Sequence, residues 1–387
     1  MSSEEESDER GVEGRKVGIR DRLRHFTWAW FTATMSTGGL SILIAETPHK
    51  FRGLHEIGLA IFILDLILFL TFSTCMTLRS IIDPPRFKQS LHHPAESFFF
   101  GGFFLSVNTI LSNVQLYGIT HGPCGPWLIT TLYICYWIYA ICSFATSVAL
   151  YWMFIVRHNL HPVPFSPSWF LAGYSAMLTG TLAGIIAGSQ PEERRMAVLV
   201  SGVTFQGFGW MLSFLLIVMY IYHLVEHGLP PPSARPGMFI PVGAAAFTVL
   251  VLVKLADAIP VSYGYFAGHP GAVETLQTLA VFTGVFLWMF SFWLFVLAVM
   301  GVVKGIREMS FVLPWWALIF PNVGFTLATV SLGRALGSEA ILWVGSVMTA
   351  LLVVVWLVTA VACVRAVWLR RIMWPGKDED RGMFKED

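Results

Sequence analysis

The chain has 387 residues, of which 55% are hydrophobic and only 13% are charged. Soluble domains carry about 25% charged residues, so this composition indicates an integral membrane protein and excludes an ordinary soluble domain. The net charge of +1 argues against bulk attraction to nucleic acid, and the five cysteines have no paired spacing that would indicate disulfides or a zinc site.

In chain order, the sequence predicts a disordered cytoplasmic tail over residues 1–24, a ten-helix transmembrane domain over 25–371 and a second cytoplasmic tail over 372–387. A span of about 20 apolar residues is enough to cross a bilayer. Runs of this kind cover 27–46, 56–79, 97–117, 127–157, 169–189, 196–226, 238–259, 274–306, 313–333 and 338–370. The fold class is therefore all-α integral membrane.

The basic residues set the predicted orientation, because they are enriched on the cytoplasmic side of membrane proteins. With the N-terminus inside, 19 lysines and arginines fall in cytoplasmic segments and five in external loops, while Lys254 lies within a span. The sequence therefore predicts that both termini are cytoplasmic.

The odd-numbered spans differ from the even ones in their small and polar residues. Polar or small residues recur at helical spacing on three odd spans: Thr34, Thr37, Gly38 and Ser41; Gly102, Ser106, Thr109 and Asn113; Asn322, Thr326, Thr329 and Gly333. The acids placed within spans, Asp65 and Glu226, are on even ones, so we expect the odd spans to be free of carboxylates.

This contrast favours five helix pairs, with odd helices around a central pathway that accepts anions and even helices facing lipid. We assign Thr34, Thr37, Ser106, Thr109, Asn113, Asn322 and Thr326 to the pathway. Small and hydroxyl residues at the same spacing also join membrane helices by packing, and for any single stripe both interpretations stay open.

The ninth span has a feature that a plain anchor does not need. Pro321 removes a backbone donor in mid-span and Gly324 follows, so the helix is expected to kink, with the bulky Phe320 at the bend. A kinked helix with an aromatic side chain at the bend is typical of a pathway that can be plugged.

Four charged or titratable residues are candidates for a vestibule that attracts anions. Lys254 could bind a carboxylate or pair with Asp257, and Arg334 could serve an outer vestibule or pair with Glu339. At the inner mouth, Arg24 and His25 could concentrate or protonate an anion, or only anchor the first helix to headgroups.

Seven stretches carry a resemblance to a known family: RLRHFTWAWFTATMSTGG (22–39), HPAESFFF (93–100), QLYGITHGPCGPWL (115–128), GVTFQGFGW (202–210), RPGMFIPVG (235–243), FLWMFSFWLF (286–295) and WWALIFPNVGFTLATVSLGRALGS (315–338). In these stretches the chain resembles the tellurite-resistance/dicarboxylate transporter family, which includes the slow anion channels, and within it the fungal malic-acid transporter branch.

This resemblance implies ten helices as five hairpins, a central pore of odd helices, a homotrimer and a pore-plugging phenylalanine. On the WWAxxFP pattern that phenylalanine is Phe320, and Phe325 is the second candidate. The implied substrates are C4-dicarboxylates such as malate and succinate. A related branch that exports sulfite is the alternative.

A different class, the membrane di-iron oxygenases, is worth weighing because of His92-His93, His158/His161 and His223/His227. These histidines are too few for two irons, and no H-x-x-H-H cluster is present. We therefore expect no enzymatic activity, no metal and no cofactor. No phosphate-binding loop is visible in the sequence either, so we expect transport that is driven by gradients. We expect the protein in the plasma membrane. Proton symport, exchange and channel-like conduction all stay open.

Overall fold

A computed structural model describes residues 18–156 and 165–374. The predicted tails lie outside it except at their ends, where Ile19–Arg24 form a short helix within the segment predicted to be disordered. The proposed histidine ligands His158 and His161 also lie outside the described residues. In the two described ranges the ordered elements are helices, and no strand occurs.

Ten of the described helices correspond to the predicted spans, and we number them α1 to α10. Their bounds are Phe31–Glu46, Leu54–Ile82, Phe100–Asn113, Pro126–Val156, Trp169–Ile186, Glu192–His227, Ile240–Asp257, Pro270–Gly305, Phe320–Ala335 and Glu339–Trp368. Short helices at Pro84–Ser90 and Pro94–Ser97 lie between α2 and α3.

Several odd-numbered helices continue into tighter or wider turns. Residues Trp28–Trp30, Pro232–Phe239 and Leu313–Leu318 form 3₁₀ segments before α1, α7 and α9, and a π segment, Val114–Thr120, follows α3. Eight of the described helices, counted with these segments, are long and apolar enough to cross a bilayer. The α-helical parts of α1 and α3 have only 16 and 14 residues, so the total of ten spans stays a prediction.

The prediction of a kink at Pro321, in the middle of the ninth helix, is wrong. The α-helix begins at Phe320, directly after the 3₁₀ segment, and Pro321 lies in its first turn. An N–H in the first turn has no partner within the helix, so proline is tolerated there without breaking a hydrogen bond. The helix of the ninth span is thus interrupted before Pro321, between the 3₁₀ segment and α9, and Phe320 lies at that boundary.

Burial separates the two sets of helices. In their most apolar stretches, 89% to 94% of the residues of α5, α7 and α9 are buried, against 22% to 28% for the even-numbered helices. All the residues of α1 from Phe31 to Ala45 are buried as well. The odd helices therefore form the interior, and the apolar faces of the even helices are left for lipid, as the sequence predicts.

The inner helices form a closed ring, in which α1 contacts α3, α3 contacts α5, α5 contacts α7, α7 contacts α9 and α9 returns to α1. Each outer helix packs in the groove between two inner ones, and α10 packs on both α9 and α1. This ring defines one central axis, and the candidate site lies along it.

Candidate functional site

Three charged side chains meet where α1, α7 and α9 end. Lys254 Nζ lies 2.8 Å from Glu46 Oε1, and Arg334 Nη1 lies 2.6 Å from Glu46 Oε2. Arg334 also donates to the backbone oxygen of Glu46 at 2.7 Å. We call these three residues the mouth cluster. It contains two cations and one carboxylate, so it has a net positive charge.

These pairings differ from those considered from the sequence. Lys254 pairs with Glu46 rather than with Asp257, and Arg334 pairs with Glu46 rather than with Glu339. Glu339 instead lies 2.7 Å from the Nε2 atom of His49. One carboxylate on α1 therefore joins the ends of three inner helices.

The expectation that the odd helices lack carboxylates is wrong. Glu46 is the last residue of α1, and Asp257 is the last residue of α7. The expectation considered acids well inside a span and overlooked those at the helix ends, where cations and water are within reach. Because two cations neutralise Glu46, its presence does not make the mouth cluster repel anions.

Directly beside the mouth cluster is a closed, mostly apolar neck. Its cavity has a volume of about 10 Å³, which is room for about one water molecule. It is lined by residues from four inner helices: Ile42 and Glu46, Ile185, Leu250 and Lys254, and Leu327, Val330 and Ser331. The axis is thus closed to a hydrated anion in this conformation.

Further along the same helix faces, two phenylalanines fill the space between α1, α7 and α9. The ring centroids of Phe320 and Phe247 are 5.2 Å apart, and both side chains are buried. A Cβ at Gly39 would lie 3.1 Å from the Phe320 ring, and a Cβ at Gly324 would lie 2.7 Å from the Phe247 ring. The two glycines therefore leave the room that this aromatic pair occupies.

The spacing of these residues shows which face of each inner helix points to the axis. On α1 the face runs Gly39, Ile42, Glu46; on α7 it runs Phe247, Leu250, Lys254; on α9 it runs Phe320, Leu327, Arg334. Each series keeps to one side of a helix and ends in a charge. This shared pattern is the sequence signal for Glu46, Phe247 and Gly39, which we did not predict as site residues.

The predicted polar stripes lie on other faces. The hydroxyl oxygens of Thr34 on α1 and Ser106 on α3 are 2.6 Å apart, and Asn113 donates to the Gly38 carbonyl at 2.9 Å. The indole N–H of Trp356, on α10, donates to Thr37 at 3.1 Å. These side chains join neighbouring helices, which is the packing interpretation of the stripes.

The stripe on α9 bonds partly within its own span and partly to a neighbouring helix. Thr326 donates to the carbonyl of Asn322, and Asn322 donates to the carbonyl of Leu318, so both bond within the ninth span. The outer helix α8 supplies Trp288, which donates to Thr329 at 2.8 Å. The ring of Phe325 also packs on α8, with its centroid 5.3 Å from that of Trp288. Phe325 therefore points away from the axis, and Phe320 towards it.

The inner-mouth candidates are at the opposite end of α1. Arg24 lies 3.5 Å from Asp21 and 3.8 Å from Asp83, which ties the short N-terminal helix to the end of α2. His25 is buried. The structure thus brings Lys254 and Arg334 together, and it leaves Arg24 and His25 in a separate place.

Two buried carboxyl groups have opposite surroundings. Glu96 is fully buried and paired with Arg79, which also donates to the Phe26 carbonyl at 2.8 Å. Asp65, on α2, is fully buried too, but neither of its oxygens has a hydrogen-bond partner. A Cβ at Gly38 would lie 2.5 Å from Asp65 and 2.5 Å from Thr109 of α3. Asp65 is thus an isolated acid beside two inner helices.

The pair of Arg79 and Glu96 also changes the count of basic residues. Arg79 is one of the 19 lysines and arginines in the segments assigned to the cytoplasm, and the structure buries it completely against Glu96. Within the described ranges no three histidine, cysteine, aspartate or glutamate side chains gather as a metal site. His223 and His227 stack on each other, and Glu226 lies 3.7 Å from His227.

Comparison with known proteins places this architecture. A family model described as a voltage-dependent anion channel (SLAC1) matches residues 25–364. The malic acid transport protein of Schizosaccharomyces pombe is 32% identical over 372 residues, which cover 95% of this chain and 84% of that protein. A putative malic acid transport protein of the same yeast is 31% identical, over 95% of this chain and 86% of its own length.

Relatives of another kind are similar at a lower level. The sulfite efflux pump SSU1 of Trichophyton rubrum is 27% identical over 336 residues, which cover 86% of this chain and 88% of that pump. The matches extend over nearly the whole ring of helices, and the family and relatives are transporters and channels of anions. This chain is therefore a multi-pass membrane protein of the voltage-dependent anion channel family, as its sequence resemblance indicates.

Proposed function

We propose that this protein transports C4-dicarboxylates such as malate and succinate along the axis of the inner helices, with Phe320 as the gate. The observation that carries the proposal is the mouth cluster next to an apolar, aromatic-plugged neck. An anion is attracted by the net positive charge, and an apolar constriction excludes ions until it is widened. The names of the S. pombe relatives support the choice of malate.

The mouth cluster suggests how a dicarboxylate is received. The Glu46 carboxylate holds two cations that belong to different helices, α7 and α9. A substrate carboxylate has the same charge and the same acceptor geometry, so it competes with Glu46 for Lys254 and Arg334. When the substrate replaces Glu46, the tie between α1 and the other two helices is released. Binding at the mouth is thereby linked to loosening of the neck.

The gate follows from the contacts of Phe320. Its ring fills the space that Gly39 leaves on α1 and lies against Phe247 on α7. Rotation of that ring, or a small separation of α1 from α9, removes the plug.

Asp65 is the group through which we propose that protons act. Burying a negative charge without a partner is costly, so ionisation of Asp65 requires water or a polar group to reach it. Movement of α1 and α3 as the ring opens would let water reach Asp65 at its contact with Gly38 and Thr109. Proton binding would then favour the closed ring, and proton release the open one.

The surroundings of Asp65 contain few other groups that titrate. On α1 the only one is Glu46 at the far end, and α3 has none. On α2 the nearest are Glu56 and Cys75, nine and ten residues away, or about 15 Å along the helix. The π segment after α3 contributes Tyr117, which lies against Gly58 and Phe62 near the start of α2 and donates to the Ser41 carbonyl. The segments packed at the far end of α2 contribute Arg20, Asp21, Arg22, Arg24, Arg86 and Lys88.

The assembly and orientation are also proposals. We propose a homotrimer in the plasma membrane with both termini cytoplasmic, which places the mouth cluster at the external side. The orientation is supported by the excess of basic residues in the segments assigned to the cytoplasm, and the homotrimer is what the family resemblance implies. A reporter fused after Asp387 that reads as extracellular would overturn the orientation.

The test is uptake by vesicles that contain the purified protein. Radiolabelled malate, succinate and sulfite are compared at two pH values, and empty vesicles serve as the control. We expect saturable uptake of both malate and succinate. We also expect each compound to inhibit the uptake of the other. Transport of sulfite without transport of either dicarboxylate would favour the sulfite alternative and overturn this proposal.

A further inference from the structure

A large apolar crevice opens between the outer helices α2 and α10. Its volume is about 640 Å³, which is in the range of small-molecule binding sites. The floor is the inner helix α1, through Ala33 and Thr37, and the walls include Leu64 and Phe72 of α2 and Val364 of α10. The crevice lies where the first and last helix pairs meet, so it is the seam of the ring.

One end of the crevice has two positive charges without counter-charges. Arg22 and Arg370 line it there, and their guanidinium carbons lie 5.8 Å and 5.1 Å from the ring centroid of Trp374. Arg22 also donates to the Met373 carbonyl at 3.4 Å. Among the described residues, neither guanidinium forms an ion pair with a carboxylate. Two like charges held around one indole favour an anion between them.

We propose that this crevice binds one anionic phospholipid, with its phosphate on Arg22 and Arg370 and an acyl chain along α1. The two halves of the site match the two halves of such a molecule, and no purely polar anion would use the apolar part. The crevice is also accessible from the bilayer, since Leu64, Val364 and Trp368 are exposed on its rim. Basic groups between membrane helices commonly recognise anionic headgroups in this way.

The occupant would contact the transport machinery directly. Ala33 and Thr37 belong to the same helix as Gly39 and Glu46, and Trp356 reaches across the crevice to bond Thr37. A bound chain fills the space between α2 and α10 and holds α10 against α1. The lipid therefore stabilises the closed ring at its seam.

The test uses the full-length protein in a neutral detergent, with bound lipid measured by native mass spectrometry and thermal unfolding followed in parallel. Phosphatidylserine is compared with phosphatidylcholine of the same chains. We expect a selective rise in the unfolding midpoint with phosphatidylserine. Loss of both charges in Arg22→Gln/Arg370→Gln should weaken its binding by about thirtyfold, since each basic residue near an anionic lipid contributes about 1 kcal/mol.

Two further variants make the result specific. Arg365→Gln/Arg371→Gln removes the same charge from the same end of the molecule, outside the crevice lining, and should bind phosphatidylserine like the wild type. Ala360→Trp fills the crevice and keeps both arginines, so it should also lose the binding. Equal losses in the two double variants would overturn the site, because they would show an effect of net charge alone.

Two other outcomes would also overturn the proposal. Inorganic phosphate that gives the same stabilisation as the lipid would make the site one for free anions. Stronger phosphatidylserine binding after removal of residues 375–387, without any binding to the intact chain, would show that the acidic C-terminal segment occupies the arginines instead.

Discussion

The inner helices present two kinds of surface. Towards the axis they have glycine, aliphatic and aromatic residues, the hydroxyl of Ser331 in the neck, and charges only at one end, where Glu46 meets Lys254 and Arg334. Towards their neighbours they have hydroxyl and amide groups, such as Thr34 with Ser106. In the membrane interior a polar group needs a partner, and a neighbouring helix supplies one more reliably than an empty pathway does. Polar side chains therefore lie mostly at the contacts between helices, and large apolar side chains close the axis.

The largest expected effect comes from comparing two phenylalanines of α9, one on each of the two surfaces. Phe320→Ala removes the plug on the axis and should raise malate flux or leak by about tenfold or more, because flux is limited by the apolar constriction. Phe325→Ala removes a ring of equal size that packs on α8, and it should lower stability by about 3–5 kcal/mol without leak. Flux is measured per protein molecule in vesicles, and stability by thermal unfolding.

Phe247→Ala is the matched test of the aromatic pair. Since Phe247 lies against Phe320, its loss should also raise leak. A fall in flux for both Phe320→Ala and Phe247→Ala would contradict the gate and would assign the pair to packing.

The mouth cluster gives the next effect. Arg334→Gln and Lys254→Gln should each raise the malate concentration for half-maximal uptake about fivefold, because a partly exposed cation contributes on the order of 1 kcal/mol to binding an anion. Glu46→Gln should lower that concentration, since it removes the carboxylate that competes with substrate. An exposed pair elsewhere supplies the control, and Glu339→Gln should leave uptake unchanged. Equal effects of Glu46→Gln and Arg334→Gln would contradict the competition.

Replacement of the isolated acid Asp65 should change the pH dependence of uptake more than the maximal rate of uptake. Asp65→Asn has nearly the same volume and cannot release a proton, so uptake should keep only the pH dependence that comes from ionisation of the substrate's own carboxyl groups, while Asp65→Glu should restore part of the rest. Measurements at several pH values, without a proton gradient and with one, separate coupling from simple activation. An unchanged profile in Asp65→Asn would exclude Asp65 from proton coupling.

The contrast with Glu96 shows why Asp65 is singled out. Breaking the buried Arg79–Glu96 pair by Arg79→Met leaves a buried carboxylate alone and should destabilise the protein by about 3–5 kcal/mol. That pair joins α2 to the segment before α3, which is a structural role.

The division into inner and outer helices could be predicted from the sequence, because breakers and small residues concentrate on spans that pack on all sides. The position of Phe320, at the boundary between the two helical segments of the ninth span, could be predicted from its motif. The face of each inner helix that points to the axis could not be predicted, since Asn322 and Thr326 look equally suited to a pathway or to a helix contact until their partners are known. Glu46 was hidden because its two cations, Lys254 and Arg334, are more than 200 residues away in the chain, and only the closed ring brings them together.

The smallest expected effect tests the other surface. Thr34→Val with Ser106→Ala removes the hydrogen bond between α1 and α3, and interhelical bonds of this kind contribute about 0.6–2 kcal/mol in membrane proteins. We expect a lower unfolding midpoint and a normal half-saturating malate concentration for each molecule that remains folded. Ser331→Ala is the control on the axis side, since Ser331 lines the neck and its loss should change uptake and leave stability nearly unchanged. The opposite result, with weaker uptake in the double variant and no change in stability, would return the polar stripe to the pathway. It would also reduce the comparison between the two surfaces to a property of the closed conformation.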